Sequence, residues 1–151
     1  MIYDRTQVDV DNAVKIRSEK VQKFTELTTE DITTLEKGML TINTLNRIEE
    51  KQQELKNLFE EDFYFVDEIS NKSWTYTDIF KQEDFDRILL NLEKLIKAYF
   101  VYSNTPKIPD NNYRKYQTIN DVERILHDLD IMISDVKSHY RECGTFECGE
   151  E

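Results

Sequence analysis

The sequence is poor in glycine, proline and cysteine, with three, two and two residues respectively in 151. So few chain breakers exclude a sandwich or barrel that turns about every ten residues, and they suit long helices. No apolar run escapes charge for long enough to span a bilayer. The stretch Met1-Ile2-Tyr3-Asp4-Arg5 lacks the basic start and apolar run of a signal peptide, so synthesis in the cytoplasm without Sec export is expected. Basic residues are short too: 20 against 31 acids, a formal net charge of −11. A surface this negative repels nucleic-acid phosphates and anionic membranes, so neither is an expected partner.

Aromatic residues are plentiful, with eight Tyr and eight Phe, and they supply the apolar area that a disordered chain of this charge would lack. The length suits one domain, able to bury roughly 70% of its unfolded surface. Thr6 with Asp9, and Thr28 with Asp31, have capping-box spacing. The first pair predicts a helix from Gln7 to about Phe24 that buries Val10, Ala13, Val14, the Arg17 stem, Val21 and Phe24. The second opens a short helix through Ile32 and Leu35, and Gly38 reads as its C-terminal stop.

From Leu40 onward the sequence resembles itself. Thr44-Leu45-Asn46-Arg47-Ile48, Asp84-Phe85-Asp86-Arg87-Ile88 and Asp121-Val122-Glu123-Arg124-Ile125 share a capping-type residue, an apolar residue, Asn/Asp/Glu, then Arg-Ile. Each copy opens a stretch with helical apolar spacing. Common amphipathic helix starts would read the same way, but three copies at similar spacing favour a degenerate repeat. Arg near a helix start opposes the macrodipole, so each is expected to fold onto an acid or a neighbouring helix end. The expected fold is all-α: an antiparallel bundle of four to five helices over residues 1–140, with a short extended C-terminal tail at 141–151.

No catalytic constellation stands out. A glycine-rich phosphate loop is absent, and His127 and His139 lie too far apart for a one-face metal pair. The 31 acids give many carboxylate pairs of no special meaning. No cofactor or metal is expected. The tail repeats Glu-Cys-Gly, at Glu142-Cys143-Gly144 and Glu147-Cys148-Gly149, a spacing that is neither CxxC redox nor zinc-like. A disulfide is disfavoured in the cytosol. This tail reads either as an extended docking strand or as a frayed terminus. Trp74, the only tryptophan, reads as a cap over the bundle's end, with an exposed hot spot as the alternative.

These residues together carry a resemblance. The opening from Tyr3 to Asp11 is similar to the "DRTQ-x-DV" start of proteins from phages and prophages of Gram-positive bacteria. Further along come Glu26 to Glu30, the "LNRIE" helix start at Leu45 to Glu49, a Trp loop and Arg87 to Asn91. After these come Thr105 to Pro109, Asn120 to Asp128 and the Cys-Gly tail, in the same order as in those proteins. The resemblance implies a tail-associated structural protein of a virion or tail-like particle, assembled in the host cytoplasm. It would contact other virion proteins at a baseplate or tail fibre and be present in multiple copies. Lacking a fibre shaft or lectin-like domain, the chain is expected to be an adaptor, attachment or decoration part and not an enzyme. Expected partner contacts are Trp74, Tyr76, Pro106, Ile108, Pro109, Cys143, Phe146 and Cys148. The alternative is a small acidic inhibitor that mimics nucleic acid and blocks a host enzyme. Such a mimic needs its acids ordered along one face.

Overall fold

The computed structural model describes residues 1–143, so Phe146 and Cys148 lie outside the described residues. Among the described residues the protein is all-helical, with five α-helices and no strand. These are α1 (Gln7–Ile16), continued by one π-helical turn (Arg17–Val21), α2 (Thr29–Gly38), α3 (Ile42–Glu61), α4 (Gln82–Ala98) and α5 (Tyr116–Cys143).

Both capping boxes form. The Asp9 amide donates to Thr6 Oγ1 at 3.3 Å while Asp9 Oδ2 accepts from the Thr6 amide at 2.7 Å. Thr28 and Asp31 repeat this at 3.2 and 2.8 Å. Thr41 caps α3 through the Thr44 amide, and Asp84 reaches back to the Lys81 amide at the start of α4. The Arg-Ile motifs therefore begin inside their helices. Arg47 and Arg87 are each the sixth residue of α3 and α4, and Arg124 is the ninth of α5, a full turn or more past the ends where the macrodipole opposes a cation.

The core belongs to α3, α4 and α5. Leu45, Ile48, Leu55 and Phe59 pack with Phe85, Ile88, Leu92 and Leu95, and with Val122, Ile125, Leu126, Leu129 and Ile133. Cross-helix pairs set the direction of the three. Arg87 pairs with Glu49, 38 residues away, and Gln52 meets the Ile88 carbonyl and Asn91, 36 and 39 residues away. On the other side Arg47 pairs with Glu123, Lys51 with Asp130, and Lys137 with Glu61 and Asp62. Partners advance together along both chains, so α3, α4 and α5 run parallel. The antiparallel expectation holds instead for α1 and α2, where Lys20 meets Asp31 and Lys37 meets Asp4 and Asp9.

Parallel neighbours cannot be joined by short turns, so the chain returns along the bundle after α3 and again after α4. The return at 62–81 buries Val66, Ile69 and Trp74. Its backbone groups are met by side chains: Asn91 and Arg87 donate to the Ser70 carbonyl, Lys94 to that of Glu68, and Glu49 accepts from the Lys72 amide. The return at 99–115 is tied by Thr105 to Asp128 at 2.7 Å and by Tyr102 to Asp135 at 2.9 Å.

The first helix departs from expectation. Ala13 is buried, but Val14, Val21 and Phe24 are exposed, and Val10 is half-buried. The side of α1 that packs is the one crossed by α2. A β-carbon on Gly38 would stand 2.1 Å from the Asp9 carbonyl oxygen and 2.5 Å from the Ala13 β-carbon. Gly38 is the last residue of α2, as expected of a C-terminal stop, and it is also the contact that lets two backbones touch. Only the Asp9–Ala13 side of α1 meets α2 there, whereas Val10, Val14 and Arg17 line a groove instead of a core.

Candidate functional site

Two polar assemblies occupy the end of the bundle where α3, α4 and α5 begin. The inner one is built on Glu123 and Glu49, which are 0% and 2% exposed. Glu123 accepts from Arg5 Nη1 and from Arg47 Nε and Nη2, the latter two at 2.9 and 2.7 Å. Glu49 takes Arg87 in a two-pronged contact at 2.7 and 2.5 Å, and also the Trp74 indole N–H at 3.0 Å. Deeper in the bundle, Asn91 Nδ2 donates to Gln52 Oε1 at 3.2 Å. Arg124 stays on its own helix and pairs with Asp128 at i+4. Burial pushes Asp128 up, but hydrogen bonds from Thr105, Arg124 and His127 outweigh it and leave the carboxyl below its ordinary value. So each repeated Arg folds onto an acid, and two of them tie neighbouring helices together.

Arg5 links this network to the chain's opening. Its guanidinium also donates to the Ile2 carbonyl, and its main chain is clamped by Asn120, which donates to the Arg5 carbonyl at 2.9 Å. One nitrogen, Arg5 Nη2, is buried and has no hydrogen-bond partner. The carboxylates here are held by guanidinium groups and helix packing. They join the N-terminal segment, α3, α4, α5 and the first return through buried ion pairs and hydrogen bonds. Among the described residues no group of three or more His, Cys, Asp or Glu is gathered as a metal site requires. No helix among them is long and apolar enough to cross a membrane.

The second assembly is a groove of about 860 Å³ between the α1–α2 hairpin and the bundle. Val10, Leu40, Phe80 and Tyr113 give it apolar walls, while Arg17, Arg114 and Lys115 stand at its rim with Arg5 behind them. No Asp or Glu lines it. Thr41 and Tyr116 bring the starts of α3 and α5 to the same place. Because the helices run parallel, the positive ends of their macrodipoles, roughly half an elementary charge each, add here.

The expected contact residues scatter. Trp74 is 4% exposed; its amide donates to Asn46 at 2.7 Å and Lys72 lies over its ring at 4.0 Å. It therefore braces the end of the bundle from inside and offers no surface, which settles the alternatives in favour of the cap. Tyr76 is 93% exposed, Ile108 is partly exposed, and Pro106 and Pro109 are half-buried in the second return. Cys143 closes α5. Sequence reasoning missed Arg5, Glu49, Gln52, Asn91 and Glu123. The signal was there for α3: Glu49 and Gln52 fall on the stripe shared by Leu45, Ile48 and Leu55, and a polar residue on an apolar stripe must be paired inside. The groove left no signal, since its residues come from four separate stretches. No protein-family model, curated protein or solved structure matches the chain.

Proposed function

We propose that this chain is a structural component of a phage tail or tail-like particle, an adaptor or decoration part that works through protein–protein contacts. The order of the sequence motifs motivates the particle, and the placement of two phenylalanines supports the protein–protein contacts. Phe24 and Phe63 are 97% and 98% exposed and stand at φ 54° and 65°. Each follows a helix end at the position where a left-handed residue closes the last turn, with the next amide bonded back five residues, Thr25 to Lys20 and Tyr64 to Phe59. Glycine suits that position; a side chain there costs roughly 1–2 kcal/mol. A phenylalanine that strains the backbone and buries nothing has no folding role, and a partner surface gives it one. Phe65, Tyr76 and Ile79 add exposed apolar area along the first return.

The acidic-mimic reading draws no such support. Asp31, Glu49, Glu123 and Asp128 are turned inward into ion pairs, and the groove is basic. We assign the chain no catalytic step, cofactor or metal.

Mass spectrometry of purified particles tests the proposal, with the chain expected at stoichiometric levels. Absence from particles and from their assembly intermediates sinks it. A sharper test replaces Phe24 and Phe63 by glycine. The isolated chain should gain about 0.5–1 kcal/mol per site, read from the urea midpoint, because left-handed strain is relieved. Incorporation into particles should fall. Unchanged incorporation would show the two rings to be idle.

A further inference from the structure

The basic groove lies where α5 begins, and an acidic segment follows the last residue of α5 in the sequence. Residues 144–151 read Gly-Thr-Phe-Glu-Cys-Gly-Glu-Glu: three acids, one aromatic and no base. The groove is their complement. It has apolar walls, Arg17, Arg114 and Lys115 at its rim and no acid, and it sits where parallel helix starts converge. Arg5 lines it, 5% exposed, with Nη2 unpartnered.

Within one molecule the two cannot meet. The 28 residues of α5 span about 42 Å at 1.5 Å each, and the groove lies at the first of them. Eight residues beyond Cys143 reach at most about 28 Å even fully extended.

We propose that the groove receives residues 144–151 of a second copy, with Phe146 between the apolar walls and Glu147, Glu150 and Glu151 against the rim cations. The contact joins the start of one bundle to the end of the next. It is heterologous, so it repeats copy after copy and closes into a ring or extends as a stack. It deepens the assembly reading by supplying a means for copies to associate.

Sedimentation velocity on the full chain at low salt, across a range of concentrations, tests it. Wild type associates as concentration rises, and salt weakens the association. Arg114→Glu with Lys115→Glu, both exposed positions, weakens it by more than about tenfold, and so does Phe146→Ala with Glu147→Lys. Circular dichroism establishes that each variant keeps its helix. Mixed together, the two variants form only one-to-one pairs, because one brings an intact groove and the other an intact tail segment. A wild-type chain that stays monomeric, an association that survives either double substitution, or a mixture that does not pair overturns the proposal. A chain found in particles yet monomeric in solution overturns this contact while leaving the assembly reading standing.

Discussion

Glu123 shows how much one side chain can organise. It accepts from Arg5 and Arg47 while fully buried, so it joins the N-terminal segment, α3 and α5 at one point. Glu123→Gln should destabilise the chain by about 3 kcal/mol, because it strands the Arg5 guanidinium, 3% exposed, without its counter-charge. Arg47→Met should cost less, since Arg5 still satisfies Glu123; equal losses in urea unfolding would refute that ordering. In the α1–α2 hairpin, Asp31 is the carboxylate most shifted by its partners. The Lys20 ammonium at 2.5 Å, with the Thr28 amide and hydroxyl, lowers its carboxyl from 3.8 to about 2. Asp9 is lowered as well, by the Thr6 hydroxyl and amide first and Lys37 after them. A folded-state pKa below the unfolded one stabilises above about pH 4, and the contribution disappears as pH falls through about 2. Protection of the α1 and α2 amides against exchange, relative to the intrinsic rate at each pH, should therefore fall across that window. Asp31→Asn should flatten the change; a profile left unaltered would exclude Asp31 as its source.

At the scale of elements the hairpin and the bundle are held differently. The core cluster is drawn from α3, α4, α5 and the two returns, with Leu40 and Ile42 at its margin. The α1–α2 pair rests on Gly38 against Asp9 and Ala13, plus the ion pairs at its ends. An element with few buried apolar contacts opens at low free energy. Gly38→Ala should force the two helices apart at a cost of about 2–3 kcal/mol. Hydrogen exchange would then show protection lost from α1 and α2 and kept in α3 to α5. Loss of protection throughout the chain would mean that the hairpin is integral to the core. Such a separable pair also forms one wall of the groove, so the same variant would disturb any segment seated there.

Over the whole molecule, parallel helices separate two ends of unlike character. The beginnings of α3, α4 and α5 gather with the Arg-Glu network and the groove, while Phe63 and the end of α5 stand at the other end. Parallel packing also joins the three helices in one cooperative unit, since each return is pinned to helices on both sides of it, the second by Asp128 of α5 and Gln82 of α4. Leu92→Ala, at a fully buried position facing all of this, should cost about 3 kcal/mol and lower the unfolding midpoint of all three helices together. Separate transitions for α3 and α5 would contradict a single core.

The residues by themselves determined the helices. Few breakers, two capping boxes and the stripes from Leu45, Phe85 and Val122 are local signals, and local hydrogen bonding and apolar spacing read them directly. They also raised the expectation that each repeated Arg folds onto an acid or a neighbouring helix end, without naming the partner. Tertiary structure alone decided direction, since an amphipathic stripe buries equally well against a parallel or an antiparallel neighbour. Only the long returns, pinned by Asn46, Glu49 and Asn91, make the parallel order possible. It decided the fate of α1 as well: the stripe of Val10, Val14 and Val21 looks like any core face, but α2 packs on the Asp9–Ala13 side and leaves Val10 and Val14 lining the groove. The groove was decided there too, because its cations and apolar walls lie far apart in sequence and meet only when three helix starts are brought to one end.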